Sequence, residues 1–329
     1  MPTDVMVRID DRVRLLSTAL ALTCFPEQSQ QRRPHGTHLH ARATSKQLAA
    51  HRDHPAVQDL QTLLDQRAPL EALFTLVLAA RLPDMIIERP PRWMPANWDE
   101  KLADFYQRAE LARWWADEEA AWSKAREDAA SVFAAVSFKP FLQPFVGDVA
   151  EGLVFIPNIS YPTDQELGIR LGRDLVCIAP PRLAWGDSPP WPFNEDPAHV
   201  YRAALAQYGK LLMITYLRAH AEAAAEAAKT PLTHIDHLRS RYPTWSDQFT
   251  TLFVAGAAAI FLEDHVSKAE ADAYVLMERK TNNLTVLPAV VTVLRRYLSE
   301  HQSGKFASFL DFLPVFPKQL KVTARFKSL

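Results

Sequence analysis

Histidines beside acidic residues are the side chains of this chain best suited to metal chemistry. His234 and His237 frame the pattern His-x-Asp-His, which residues 51–54 repeat. Two histidines three residues apart lie on one side of a helix, where both imidazoles can reach one metal ion. A carboxylate from Glu263 or Asp264, in a later predicted helix, would complete such a set. The pattern leaves open a zinc site, although a histidine pair alone is more typical of a polar surface.

The sequence motifs of other catalytic classes are absent. The chain contains no H-E-x-x-H, no reverse H-x-x-E-H, no G-x-S-x-G and no glycine-rich phosphate loop. Glu263, Asp264 and His265 are adjacent, so on a helix they diverge by about 100° each and cannot converge on one acid–base site. Cys24 and Cys177 are too few for a disulfide framework or an all-cysteine zinc site. We therefore assign no catalytic residue from these motifs.

Composition and charge exclude several classes of protein. The chain has 329 residues, of which 48% are hydrophobic and 23% charged, enough to bury a core. The 37 basic and 38 acidic residues give a net charge of −1. A protein that coats nucleic acids carries a strong basic field, and no such signal is present here. The expected partner is therefore a protein or peptide, whose identity the sequence does not reveal.

Two apolar stretches bear on membranes and targeting. Residues 15–25 have the length of a signal-peptide core, but Asp4, Asp10 and Asp11 precede them where a signal peptide is basic. We therefore expect a cytoplasmic protein, with export through residues 1–25 as the alternative. The run at residues 249–262 is shorter than the roughly 20 residues that span a bilayer. It predicts a buried core helix, and we expect no transmembrane segment.

The pattern of apolar residues predicts the elements that would position these side chains. Short runs rich in β-branched residues predict strands at 5–9, 153–156 and 175–179, the last two as a pair. Helical spacing predicts long helices at 99–133 and 199–229. We expect an α+β fold that is predominantly α-helical. A small β-sheet would occupy its N-terminal and middle part, and long helices its C-terminal part.

Loops and boundaries follow from the polar and proline-rich segments. Residues 28–33 and 35–40 predict loops, and the basic tail from residue 318 predicts a solvated end. No clean linker is present, so we expect one composite domain over residues 1–329. The alternative is a boundary near residue 150, with a helical part at 1–150 and the strands and long helices at 151–329.

A proline-rich loop carries aromatic residues that we expect to be partly exposed. Six prolines fall within residues 180–197, together with Trp185, Trp191 and Phe193. Prolines restrict the backbone, so such a loop loses less conformational entropy when it binds. We predict either a contact surface for a partner or a lid over a cleft.

Several segments together resemble a known family. Residues 7–17 read V-R-I-D-D-R-V-R-L-L-S, residues 54–57 read H-P-A-V, and residues 102–106 read L-A-D-F-Y. Their order, followed by two strands, a loop and a long helix, is similar to an uncharacterised bacterial family, a domain of unknown function with the zinc-peptidase motif H-E-x-x-H. The resemblance implies a zincin-like fold and a peptidase-like helical part after residue 151.

The zinc motif is degenerate in this chain. In the family, two histidines bind Zn²⁺ and the glutamate acts as general base on the zinc-bound water. The resemblance places Ala206 and Lys210 at the histidine positions and Gln207 at the glutamate position. Alanine has no donor atom, glutamine cannot take up a proton at neutral pH, and lysine brings positive charge. The resemblance therefore implies a peptidase-like scaffold without metal or catalysis.

Three hypotheses of function remain open. The first is a non-catalytic binding or interaction module on this scaffold, with no cofactor. The second is a metal-dependent hydrolase that uses zinc bound by His234, His237 and Glu263. The third is a structural helical subunit whose apolar run at 249–262 forms an interface with another chain.

Overall fold

The computed structural model describes residues 3–32, 36, 38–81, 84–184, 188–233 and 235–327. The fold is α+β with 62% helix and a small four-stranded mixed sheet, as the sequence predicts. The chain forms two compact units. The sheet unit comprises Val5–Ala135 and Gly152–Asp196, and the helical unit comprises Met1–Asp4, Val136–Glu151 and Pro197–Leu329. After Glu151 the chain passes from the helical unit to the sheet unit, near the alternative domain boundary at residue 150. Whether it behaves as one domain stays a prediction.

The sheet has three parallel strands and one antiparallel edge strand. The strands are β1 (Val5–Val7), β2 (Gly152–Pro157), β3 (Leu167–Leu171) and β4 (Asp174–Ala179), in the order β1-β2-β4-β3. Strands β1, β2 and β4 run parallel, and β3 pairs antiparallel with β4. The three predicted strands and the β2–β4 pairing are confirmed. Strand β3 was missed because Gly168 and Arg170 interrupt its apolar residues.

The described residues of the sheet unit form eight α-helices. They are α1 (Asp11–Leu20), α2 (Phe25–Arg32), α3 (Leu39–Gln47), α4 (Pro55–Asp65), α5 (Leu70–Leu78), α6 (Trp98–Arg108), α7 (Leu111–Asp117) and α8 (Glu119–Phe133). The predicted loop at 28–33 is wrong over residues 28–32, which belong to α2 behind the buried Phe25. Helix α3 takes up residues 39 and 40 of the predicted loop at 35–40. Residues 33, 35 and 37 of these two segments lie outside the described residues. The predicted helix at 99–133 is divided into three, and Glu110 takes a left-handed conformation (φ 47°) at the first break.

The sheet is covered on both faces, which explains its continuous apolar strands. Val154 and Ile156 of β2 belong to one hydrophobic core with Phe74 of α5. Phe155, between them on the strand, points to the opposite face. Its ring lies 5.0 Å from that of Phe133 at the end of α8. Helices α5 and α8 therefore sandwich the central strands.

In the helical unit, nine α-helices lie within the part of the chain that the structure describes. They are α9 (Phe138–Val146), α10 (Pro197–Ala219), α11 (Ala221–Ala228), α12 (Asp236–Arg239), α13 (Trp245–His265), α14 (Lys268–Thr281), α15 (Leu287–Gln302), α16 (Phe309–Phe312) and α17 (Phe316–Lys327). The predicted helix at 199–229 is interrupted at His220, whose φ of −119° and ψ of 47° are not helical. The predicted solvated tail is instead α17, because Phe316 and Leu320 are fully buried.

Helix α13 is the centre of the helical unit. It packs against α10, α14 and α15. Its apolar run at 249–262 is almost wholly buried, so the predicted core helix is confirmed. Gly256 allows close approach to α15, since a Cβ there would lie 2.7 Å from Val290 Cγ1. No single described helix is long and apolar enough to cross a membrane, although α8 and α9 meet that test when taken together.

Candidate functional site

Helix α10 carries, near its middle, the three positions that the family resemblance assigns to a degenerate zinc motif. Ala206 and Gln207 are half-buried, and Lys210 is exposed. Between them Gly209 faces α13, where a Cβ would lie 3.6 Å from Val254 Cγ2. At about 100° per residue, Ala206 and Lys210 lie on one flank of this contact and Gln207 on the outer side. The three side chains are therefore accessible from the surface of the helical unit.

These three side chains do not fit zinc. Structural and catalytic zinc sites use imidazole, thiolate or carboxylate donors. Ala206 offers no donor, and the ammonium group of Lys210 repels a cation. Among the described residues, no three histidines, cysteines or acids are grouped so that they could hold a metal ion. We therefore derive no metal-dependent step from this helix.

The alternative metal set is only partly described. His234 and the side chain of His237, on α12, lie outside the described residues. Glu263 and Asp264 lie in the last turn of α13, and both form ion pairs with Arg295 of α15. Arg295 Nη2 lies 2.8 Å from Glu263 Oε2 and 2.6 Å from Asp264 Oδ1. The carboxylates that would complete the site are thus engaged in an ion-pair network between two helices.

His265, the next residue, is packed as an aromatic ring. Its centroid lies 4.2 Å from that of Phe261, one turn earlier on α13. Burial lowers the pKa of His265, and the neighbouring charge of Asp264 opposes this effect only partly. With this lowered pKa the imidazole is harder to protonate than a free histidine side chain, and it packs on Phe261 although the residue as a whole is exposed.

The second His-x-Asp-His pattern, at residues 51–54, is explained by helix capping. His54 precedes α4, and its Nδ1 accepts a hydrogen bond from the Ala56 amide at 3.2 Å. Because Nδ1 is an acceptor, Nε2 of neutral His54 carries the proton, which it donates to Asp104 Oδ2 at 3.1 Å. The side chain thus joins α4 to α6. Nothing in this geometry brings His54 to a metal or a substrate.

The proline-rich contact loop combines an anchor with an exposed ring. Phe193 is buried, and its ring lies 6.0 Å from that of Phe155 on β2. Trp191 is 49% exposed. The backbone amide of Trp191 donates to the Arg182 carbonyl at 2.8 Å, and Arg182 pairs with Asp196 at 2.8 Å. Trp185 lies outside the described residues. The loop therefore holds one large aromatic side chain at the surface of the sheet unit.

A buried arginine in the sheet unit was missed by sequence reasoning. The side chain of Arg14, on α1, is only 5% exposed. Its guanidinium carbon lies 4.6 Å from the ring centroids of both Trp115 and Trp122. Such contacts stabilise a cation through the electron-rich faces of the rings. The only signal in the sequence was an arginine among the apolar residues of an amphipathic helix.

Arg14 lines a pocket of about 450 Å³ at the start of α1. Arg12 and Asp10, which line the same pocket, form a bidentate ion pair with each other. Arg12 Nε and Nη2 donate to the two Asp10 oxygens at 2.9 and 2.7 Å. Arg14 Nη1 has only longer contacts, 3.6 Å to Asp11 and 3.9 Å to Glu119. Arg14 is therefore held in place by its surroundings, but its ion pairs with Asp11 and Glu119 are long.

Burial and charge act in opposite directions on Arg14. Burial lowers the pKa of its guanidinium, while the negative charges of Asp11, Glu118 and Glu119 raise it. A guanidinium remains protonated at neutral pH under such conditions. Arg14 is therefore a buried positive charge beside the pocket.

Comparison of the chain with protein-family models, curated proteins and solved structures gave no significant match. The family resemblance of residues 7–17, 54–57 and 102–106 therefore stays a prediction.

Proposed function

We propose that the protein is a non-catalytic binding protein on a zincin-like, zinc-peptidase-like scaffold. The observation that carries this proposal is the side-chain set on α10. Ala206, Gln207 and Lys210 stand where the resemblance expects two metal-binding imidazoles and a general base. None of the three can bind Zn²⁺ or accept a proton from water at neutral pH. The scaffold would keep its shape and bind a partner without cleaving it.

The contact loop supports a protein or peptide as the partner. Trp191 is exposed, and tryptophan is enriched at the centres of protein interfaces. Phe193 and the Arg182–Asp196 ion pair fix the loop on both sides of this ring. A segment held by such contacts loses little entropy when it binds. Trp191 would therefore serve as an anchor for the partner.

The two alternative functions have less support. A hydrolase that uses Glu263 would first have to remove its carboxylate from Arg295, at 2.8 Å. A structural subunit would need the apolar run at 249–262 at an interface, whereas this run is buried inside the helical unit. Both observations favour the binding protein.

Metal analysis of the purified protein tests the proposal directly. We expect no stoichiometric zinc after dialysis against micromolar zinc, and no peptide cleavage that a chelator abolishes. One zinc per chain, or chelator-sensitive cleavage, would show that the protein is a metalloenzyme.

Restoring the motif tests the scaffold separately. The triple variant Ala206→His, Gln207→Glu and Lys210→His should bind zinc, because the scaffold would supply the remaining ligand. The matched control places the same motif on an exposed face of α14, with the substitutions Asp272→His, Ala273→Glu and Leu276→His. We expect the α10 variant to bind zinc at least about tenfold more tightly than the control, which corresponds to one further ligand. Equal affinity would refute the zinc-peptidase-like scaffold.

A further inference from the structure

The pocket at the start of α1 contains hydrogen-bond donors that the protein does not use. Arg14 has five N–H donors, and its one short hydrogen bond runs from Nη2 to the Trp115 carbonyl at 3.2 Å. Its Nε and that of Arg8, another residue of the pocket wall, are buried without a hydrogen-bond acceptor among the described residues. Arg8 Nη2 has a long contact of 3.5 Å with Asp10 Oδ2, and both carboxylate oxygens of Asp10 already accept short hydrogen bonds from Arg12. Buried polar groups without partners are costly, and native proteins keep few of them.

Two carboxylates face the same pocket and are also loosely paired. Asp11 and Glu119 have side chains that are 56% and 59% exposed. Their contacts with Arg14 Nη1, at 3.6 and 3.9 Å, are longer than a charge-assisted hydrogen bond of about 2.8 Å. The pocket therefore contains positive and negative groups that do not form short hydrogen bonds with each other.

We propose that this pocket binds a small zwitterion with a carboxylate and an ammonium group, as in a free α-amino acid. The ligand carboxylate accepts hydrogen bonds from Arg14 Nη1 and from Arg8. The ligand ammonium donates to Asp11 and Glu119. A pocket of about 450 Å³ accommodates a ligand of this size together with its side chain.

The two tryptophans hold the arginine in place. The guanidinium carbon of Arg14 lies 4.6 Å from the ring centroids of Trp115 and Trp122, and its side chain is only 5% exposed. A guanidinium whose plane is fixed loses little entropy on binding a planar carboxylate.

Charge balance excludes simpler ligands. A simple anion would be repelled by Asp11 and Glu119, and a simple cation by Arg8 and Arg14. The pocket lies within the sheet unit, so the proposal does not depend on the function proposed for α10.

Matched ligands test the proposal on the full chain. Calorimetric titration with the common α-amino acids, each at up to about 10 mM, should reveal at least one that binds. Its N-acetyl derivative removes the ammonium charge, and its amide removes the carboxylate. We expect each derivative to bind about tenfold more weakly or worse, as for the loss of a charge-assisted hydrogen bond. Absence of binding by every amino acid, or equal binding of the N-acetyl derivative, would overturn the proposal.

Variants at exposed positions test the same contacts without disturbing the core. Glu119→Gln and Asp11→Asn should each weaken binding of that amino acid by about tenfold. Glu127→Gln, on the same helix as Glu119 and also exposed, is the control and should bind like the parent protein. Glu119→Gln that binds as well as Glu127→Gln would contradict the assigned ammonium site.

Discussion

Two glycines in the helical unit should respond in opposite ways to the same substitution. Gly209 and Gly256 both lie inside long helices, α10 and α13. An alanine Cβ at position 209 would meet Val254 Cγ2 at 3.6 Å, which is an ordinary van der Waals contact. An alanine Cβ at position 256 would lie 2.7 Å from Val290 Cγ1 and 2.8 Å from Leu294 Cδ1. We expect Gly209→Ala to stabilise the protein and Gly256→Ala to destabilise it.

The magnitudes follow from two opposing effects. Replacing glycine by alanine inside a helix stabilises by about 0.5–1 kcal/mol, because the unfolded chain loses conformational freedom. At Gly209 nothing offsets this gain. At Gly256 the added methyl group overpacks the α13–α15 contact, which costs about 1–3 kcal/mol. The two variants should therefore differ in free energy of unfolding by about 1–3 kcal/mol.

Urea denaturation followed by circular dichroism at 222 nm measures both variants in one assay. A second substitution, Val290→Ala, removes the atom nearest to the new methyl group. It should destabilise the Gly256→Ala variant less than it destabilises the parent protein, as a double-mutant cycle would show. The reasoning fails if Gly256→Ala is as stable as Gly209→Ala, or if Val290→Ala has the same effect in both backgrounds.

Two further predictions concern charged groups. Asp10→Ala should lower the free energy of unfolding by about 3–5 kcal/mol, measured by urea denaturation, because it leaves the partly buried Arg12 without its carboxylate partner. Asp10→Asn keeps an oxygen that can cap α1 and should lower the free energy of unfolding less. Equal losses in the two variants would refute this account. The carboxylate of Glu300 lies 2.8 Å from Lys305 and 3.0 Å from Arg296, and these contacts lower its pKa in the folded protein. The ionised Glu300 therefore stabilises the fold at any pH above the pKa of the unfolded carboxyl. This stabilisation is lost as the pH falls through the lower pKa of the folded state. Thermal unfolding between pH 3 and pH 6 should therefore depend less on pH in Glu300→Gln, whereas an unchanged profile would contradict the assignment.

The strands and the core helix could be predicted because their signals are local. Continuous apolar runs such as 153–156, 175–179 and 249–262 indicate burial on all sides, and the structure confirms it. The helix breaks at Glu110 and His220 could not be predicted in this way. Neither residue is a glycine or a proline, so no local propensity marks the break, and tertiary packing sets the backbone conformation there.

The candidate sites differ in what the sequence could reveal. The residue types of Ala206, Gln207 and Lys210 can be read directly from the sequence, whereas their assignment to a zinc motif comes from the family resemblance and stays a prediction. The Arg14 pocket was not, because it needs α1, α7 and α8 to meet across about 100 residues of chain. From the sequence, Trp115 and Trp122 are ordinary helical aromatic residues, and only the fold brings Arg14 into contact with both.

The parallel pairing of β1 with β2 has a consequence for synthesis on the ribosome. Val5 pairs with Leu153, so β1 has no neighbour in the sheet until about 150 further residues have been made. At about 5–20 residues per second, this wait lasts roughly 8 to 30 seconds. During that interval the exposed strand is a target for chaperones and for misfolding, and pausing of translation before Gly152 would prolong its exposure.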